Sequence, residues 1–101
     1  MEAQNAQQVC EEIVAHIKLN EGKYSDWYCG IASDWATRLF EEHKVPRQQN
    51  YPYIARQCFS NENARAVESA LLELGCDGGV GGGDETTVYV YAYLKTAETD
   101  P

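Results

Sequence analysis

Basic residues are scarce in this chain. Its 101 residues contain 8 lysines and arginines against 16 aspartates and glutamates, which gives a formal net charge of -8. Because phosphate contacts supply most non-specific affinity for nucleic acids, this scarcity excludes a protein that grips DNA or RNA over its whole surface. The middle third is the exception, and it holds Arg38, Lys44, Arg47, Arg56 and Arg65. Any surface that binds phosphate is therefore expected to be built from the middle of the chain.

Long apolar runs are missing as well. No stretch approaches the roughly 18 to 20 apolar residues that span a bilayer, and the polar start has neither a basic nor an apolar leader segment. We therefore expect a cytoplasmic protein with no membrane partner. A length of 101 residues is enough for one hydrophobic core, so a single domain is expected.

Closely spaced cysteine pairs are also absent. The four cysteines never form C-x-x-C, so their spacing signals neither a zinc site nor a redox pair. They are Cys10, Cys29, Cys58 and Cys76. Packed, reduced thiols are the simplest interpretation.

Hydrophobic periodicity predicts an α+β domain. We expect a small three-stranded sheet, mixed or antiparallel, flanked by about three helices. The predicted elements are a helix over 5–19, a strand over 27–32, a helix over 34–44, a strand over 51–59, a helix over 62–74 and a strand over 87–95. A polar tail over 96–101 follows.

The last strand alternates strictly between aliphatic and aromatic residues. Its aliphatic positions are expected to pack under the helices, which leaves Tyr89, Tyr91 and Tyr93 on the opposite face. Such a row most often forms a half-buried sheet surface with cross-strand aromatic pairs. The alternatives are an exposed platform on which bases stack, or one catalytic phenol. These tyrosines and Arg56 of the preceding strand are the candidate binding residues.

The connection over 75–86 is rich in glycine. Six of the eleven residues from 75 to 85 are glycine, but no lysine follows them in the G-x-x-x-x-G-K-[ST] pattern of a phosphate-binding loop. We therefore expect no nucleotide cofactor. A long mobile connection is the simplest interpretation, and a flap over a cleft is the alternative.

Three polar residues on the predicted helices are considered as site residues, and two of them have two interpretations each. Arg38 points away from the apolar side of its helix, so it is either a surface arginine paired with neighbouring acids or a phosphate ligand on the helix flank. His43 is interpreted as a histidine packed at a helix end. Glu68 lies at the edge of an apolar stripe, where a carboxylate is either structural or oriented towards a cleft.

Residues 27 to 74 resemble the GIY-YIG nuclease fold. The resemblance rests on Tyr28-x-Gly30 in a strand, on Arg38 eight residues further on a helix, and on an A-x-x-x-E motif within the next helix, whose glutamate is Glu68. It implies that Tyr28 is the tyrosine of the second motif, that Arg38 binds the scissile phosphate, and that Glu68 holds one divalent metal such as Mg²⁺. The glycine-tyrosine strand that begins this signature in the family has no counterpart over 18–25.

A permuted order of strands along the chain would complete the signature, because the C-terminal strand would then take the place of the missing glycine-tyrosine strand. Tyr24, or one of the three tyrosines of the last strand, would then replace the tyrosine of the first motif. The resemblance thus implies metal-dependent hydrolysis of phosphodiesters. The alternative is a non-catalytic module that keeps the fold and binds a protein or a nucleic acid through its tyrosine face.

Overall fold

Two α-helices cover one face of a four-stranded mixed sheet in the computed structural model, which describes residues 1–20, 22–79 and 83–101. The elements are β1 (Ala3–Gln4), α1 (Ala6–Leu19), a short 3₁₀ turn (Tyr24–Asp26), β2 (Trp27–Ala32), a π-helix (Thr37–Glu42), β3 (Tyr53–Cys58), α2 (Asn61–Leu74) and β4 (Tyr89–Leu94). Across the described residues, no helix combines the length and apolar character that crossing a bilayer requires.

The strand order is β1-β3-β4-β2, so the C-terminal strand lies inside the sheet. β4 is antiparallel to both neighbours, and its pairing with β2 places Tyr91 opposite Gly30. This is the pairing that a permuted order requires. The expectation of three strands was wrong, because Ala3 and Gln4 form a fourth strand parallel to β3. Two residues are too few to show any periodicity in a sequence.

Local sequence explains the ends of both α-helices. Asn5 caps α1 in a reciprocal pair of hydrogen bonds with Gln8, at 2.8 and 3.3 Å. Ser60 accepts a hydrogen bond from the Asn63 N–H at the start of α2, and Gly75 ends that helix with a φ of 119°. The apolar stripes of the two helices pack on Val90, Ala92 and their neighbours, which confirms the predicted orientation of the aliphatic face.

The opposite face of the sheet is covered as well. Tyr91 and Tyr93 are 1% and 0% exposed, because the segment between β2 and β3 packs over them through Leu39 and Val45. The alternative of an exposed stacking platform was therefore wrong for these two rings, which are buried more deeply than the expected half-buried surface, while the expected cross-strand aromatic pairs are present where Tyr93 lies opposite Tyr28 and Tyr53. The sheet is the middle layer of three.

The covering segment is a π-helix where a regular α-helix was expected over 34–44. The His43 N–H donates to the Arg38 carbonyl at 3.0 Å, which closes a turn of five residues. Asp34 caps the segment by accepting hydrogen bonds from the Thr37 N–H and hydroxyl, at 3.2 and 2.9 Å.

The glycine-rich connection begins as an extension of the sheet. The Asp77 N–H donates to the Trp27 carbonyl at 2.8 Å, and the Cys29 N–H donates to the Asp77 carbonyl at 2.9 Å. Residues 80–82, on which part of the predicted mobile loop falls, lie outside the described residues.

A glycine in β2 makes room for the central tyrosine. A Cβ at Gly30 would lie 2.6 Å from Cζ of Tyr91, so any side chain at position 30 collides with the phenol ring. A glycine inside a strand commonly marks such a close approach. The ring has no free space to move into, because Tyr91 is fully enclosed between the sheet and the covering segment.

We expect Gly30→Ala to lower the free energy of unfolding by about 1 to 3 kcal/mol, the usual range for overpacking a closed core. Urea unfolding monitored by circular dichroism measures the change. Gly79→Ala is the control, because no atom lies within 4 Å of the Cβ that it adds. Equal stabilities of the two variants would show that the Tyr91 ring is not confined by Gly30.

Candidate functional site

A buried histidine binds the hydroxyl group of Tyr91. The His43 Nε2 atom lies 2.8 Å from the Tyr91 oxygen, and the His43 Nδ1 atom lies 2.8 Å from the main-chain carbonyl oxygen of Asp100. A carbonyl oxygen can only accept, so Nδ1 carries the proton of the neutral ring. Nε2 is then the acceptor, and the Tyr91 hydroxyl donates to it.

The π-turn explains why Arg38 reaches the same hydroxyl. On a regular α-helix, residues five apart differ in direction by about 140°, which is why the sequence placed Arg38 and His43 on different sides. Closure after five residues stacks the two side chains one turn apart instead. The Arg38 guanidinium is consequently close enough to the Tyr91 hydroxyl for its positive charge to lower the pKa of that phenol. Arg38 also pairs with Glu42 at 3.1 Å, the surface ion pair that its spacing had suggested.

Burial keeps the Tyr91 phenol protonated. It raises the pKa of Tyr91, and the neighbouring Tyr28 raises it further, whereas the charge and hydrogen bond of Arg38 oppose this shift. The protonated hydroxyl is therefore a hydrogen-bond donor to Nε2 of the neutral His43 ring, with the Arg38 charge close by.

Tyr28 lies beside this group at the edge of the sheet. Its ring centroid is 4.7 Å from that of His43 and 5.4 Å from that of Tyr93. Burial raises the pKa of Tyr28, the charges of Asp77 and Glu68 raise it further, and Arg38 lowers it. The phenol of Tyr28 is thus within electrostatic reach of both residues to which the resemblance assigns phosphate and metal binding.

A cavity of about 270 Å³ adjoins Arg38 at the end of β2. It is lined by the end of that strand, by Arg38 and by the segment before β4, namely Ile31, Ala32, Ser33, Arg38, Gly83, Asp84, Thr86 and Thr87. The Thr87 hydroxyl oxygen accepts a hydrogen bond from the Asp84 N–H at 3.2 Å, which leaves its proton free to donate. The Asp84 carboxylate also lines the cavity and is held by the Thr86 N–H and hydroxyl, so a phosphate oxygen would bind on the side of the Arg38 guanidinium and the Thr87 hydroxyl.

Glu68 is more buried than its place at the edge of the stripe suggested. It is 4% exposed on α2, and its charge raises the pKa of both Tyr28 and Cys29, which places the carboxylate next to β2. Among the described residues, no three His, Cys, Asp or Glu side chains form a group that could hold a metal ion. A closed zinc site therefore does not fit. Glu68 is not among the residues that line the cavity beside Arg38, and a site with this one carboxylate would have to take its other ligands from water and substrate oxygens, as Mg²⁺ does.

Two of the predicted site residues lie elsewhere. Tyr24 precedes β2 and packs with the helices, where its Cβ is 3.5 Å from the Cβ position of Gly75. The cavity is at the other end of β2, about 16 Å away by the rise of a strand. Arg56 binds Glu12 of α1 at 2.7 Å and the Ala55 carbonyl at 2.9 Å, so it ties a helix to the sheet.

The three tyrosines of β4 also differ in their exposure to solvent. Tyr91 and Tyr93 are too buried to stack on a base, and only Tyr89 remains partly exposed. His43 is the residue whose contact with Tyr91 the sequence did not indicate. Its position in the middle of the apolar side was the available signal, because a histidine placed there needs partners for both ring nitrogens.

Tyr91→Phe and Tyr93→Phe are expected to differ at neutral pH. Removing the Tyr91 hydroxyl leaves the buried Nε2 atom of His43 without its donor, which costs about 1 to 3 kcal/mol. The Tyr93 hydroxyl is buried and has no hydrogen-bond partner within residues 1–20, 22–79 and 83–101, so Tyr93→Phe is expected to be neutral or stabilising. Chemical unfolding of the two variants at pH 7 makes the comparison. If Tyr93→Phe lowered the free energy of unfolding as much as Tyr91→Phe, the hydrogen bond assigned between Tyr91 and His43 would be contradicted.

Alkaline pH is expected to unfold the protein through these tyrosines. The folded-state pKa values of Tyr28, Tyr91 and Tyr93 are raised, so their contribution is fully present below the ordinary pKa of 10.0 and is lost as pH rises towards the folded-state values. Each fully buried phenol contributes a slope of about 1.4 kcal/mol per pH unit. Tyr93→Phe should make the decline above pH 10 shallower by about that amount. Stability measured between pH 8 and 11.5 tests this, and unchanged slopes would contradict it.

Comparisons with known proteins add no relative. No family model matches the chain, and no curated protein or solved structure matches it either.

Proposed function

We propose that this protein is a metal-dependent phosphodiester hydrolase of the GIY-YIG type, with its first strand supplied by β4. The observation that carries the proposal is the connected row of Asp100 carbonyl, His43, Tyr91 and Arg38, in which a tyrosine oxygen lies between a proton acceptor and a cation. Tyr91 takes the part of the first-motif tyrosine that the sequence left open, and Tyr28 that of the second.

The proton route follows from the tautomer of His43. The route requires a water molecule to reach the Tyr91 oxygen from the cavity past Arg38, because Tyr91 is buried. As that water attacks phosphorus, its proton moves to the Tyr91 oxygen while the Tyr91 proton moves to Nε2 of His43. The coupled transfer avoids a free phenolate, which the raised pKa of Tyr91 disfavours. The imidazolium that forms keeps its Nδ1–H bond to the Asp100 carbonyl. His43 thus ends the relay as the base, and Tyr91 acts as its carrier.

Arg38 joins this relay to the substrate. Its guanidinium lines the cavity, and its charge also acts on the Tyr91 phenol, so a phosphate bound to Arg38 would be separated from the Tyr91 oxygen by that one side chain. The hydroxyl groups of Ser33 and Thr87 lie in the same cavity and can hold the remaining phosphate or sugar oxygens. Charge that develops on the phosphate is stabilised by a cation already in position.

Glu68 is the residue that would hold the metal ion in this proposal. When bound, Mg²⁺ would supply charge neutralisation at the phosphate and the leaving oxygen. The fit rests on one desolvated carboxylate close to Tyr28, with water and phosphate supplying the other ligands.

The acidic surface restricts the substrate. With a net charge of -8, the protein has too few cations to bind a long duplex through its backbone. A cavity of about 270 Å³ admits a phosphate with its sugar, which favours single strands, loops and free ends. The non-catalytic alternative relied on the tyrosine face and on the glycine-rich connection, and the burial of Tyr91 and Tyr93 weakens the first of these two supports.

We expect the wild-type protein to cleave single-stranded DNA or RNA oligonucleotides with Mg²⁺ or Mn²⁺, and Arg38→Ala to lower kcat/KM by on the order of 10² to 10³. Arg47→Ala is the matched control, because it removes the same charge from the same layer, where Arg47 only covers the Phe40 ring at 4.5 Å. Gel separation of end-labelled oligonucleotides measures the rates.

Glu68→Gln completes this test by removing the charge without changing the size of the side chain. Cleavage should fall to background in Glu68→Gln, and added Mn²⁺ should not restore it. The proposal fails if the wild-type protein cleaves neither nucleic acid with either metal, or if Arg47→Ala loses as much activity as Arg38→Ala.

A further inference from the structure

Two buried cysteines outside the proposed relay lie together at the edge of the sheet. Cys29 is in the middle of β2, and Cys76 follows the Gly75 cap of α2. Both belong to the core between the helices and the sheet. Cys29 is fully buried, whereas 5% of Cys76 is exposed to solvent.

Main-chain contacts hold these cysteines side by side. The Cys29 N–H donates to the Asp77 carbonyl at 2.9 Å, and the Asp77 N–H donates to the Trp27 carbonyl at 2.8 Å. The next residue approaches equally closely, since a Cβ at Gly78 would lie 2.6 Å from the Cys29 carbonyl oxygen. The residue before Asp77, Cys76, therefore turns its side chain into the core on the same face as Cys29, and the pKa of each thiol responds to the other.

The hydrogen bond between the thiols is polarised. It is the main cause that raises the pKa of Cys29, and burial adds to the effect. The same bond is the main cause that lowers the pKa of Cys76; burial opposes this, and the charge of Lys95 supports it. Cys29 is thus the donor, and Cys76 has the greater thiolate character and the better access to solvent.

We propose that Cys29 and Cys76 form an oxidation site at which a small hydroperoxide converts two thiols into a disulfide. The Cys76 sulfur attacks one oxygen of the peroxide and the O–O bond breaks. Cys76 becomes a sulfenic acid, and the other oxygen departs in an alcohol, or in water when the oxidant is hydrogen peroxide. Cys29 then gives up its proton, its sulfur attacks the Cys76 sulfur, and the displaced hydroxide leaves as water. The balance is two thiols and one hydroperoxide to one disulfide, one alcohol and one water.

The other two cysteines serve as internal references. Burial raises the pKa of Cys58, and burial together with the charge of Glu11 raises the pKa of Cys10. Neither has a thiol donor or a cation that lowers its pKa, so both should stay reduced. The oxidation site does not depend on the proposed hydrolase, because Cys29 and Cys76 take no part in the relay.

The test treats the folded protein with hydrogen peroxide, blocks the remaining thiols with an alkylating agent, and maps the tryptic peptides by mass spectrometry. Trypsin separates the four cysteines completely, into peptides 1–18, 24–38, 57–65 and 66–95. We expect a covalent pair of peptides 24–38 and 66–95 that lacks two hydrogen atoms and separates again with dithiothreitol. The Cys10 and Cys58 peptides should carry the alkyl group.

Two variants make the result specific. Cys58→Ala should form the linked pair as the wild-type protein does, whereas Cys76→Ala should leave Cys29 unlinked and alkylatable after unfolding. The proposal is overturned if the wild-type protein gives no linked pair, if the disulfide joins other cysteines or two chains, or if Cys76 accumulates as a sulfinic acid without bonding to Cys29.

Discussion

The contact of the Tyr91 ring with the bare backbone of Gly30 is the constraint on which the rest of the structure depends. It fixes the register of β2 against β4, since a shift by one residue would place a side chain beneath the ring. It also buries the phenol deeply enough for a covering layer to close over it. His43 and Arg38 come from that layer, so the packing of one ring determines the geometry of the whole relay.

The parts of the fold that sequence reasoning predicted are those with a clear period. The strand from Trp27 to Ala32 and both α-helices have regular apolar spacing, and the alternation of β4 correctly assigned its aliphatic face to the helices. The covering segment was misread because a helical wheel assumes about 100° per residue. No sequence pattern signals closure after five residues, so the approach of Arg38 to His43 was hidden, and with it the burial of the tyrosine face.

The candidate site was predictable only in part for the same reason. Tyr28, Arg38 and Glu68 were selected from their spacing, and the pKa of Tyr28 responds to both of the others. Choosing Tyr91 as the tyrosine of the first motif required the register of β4 against β2, which cannot be read from a sequence. An ion pair decided against Arg56 as a binding residue, because its guanidinium is already held by the Glu12 carboxylate of α1.

The tail after β4 binds both the main chain and the ring of His43. The Asp100 N–H donates to the His43 carbonyl at 2.7 Å, and the Asp100 carbonyl accepts from Nδ1 of the ring. Both bonds use the main chain, so any residue except proline, which lacks the N–H, can supply them. The tautomer of the central histidine is thus set by a position whose amino-acid identity hardly matters. Evolution can vary that position freely, and a functional contact of this kind leaves no trace in a comparison of sequences.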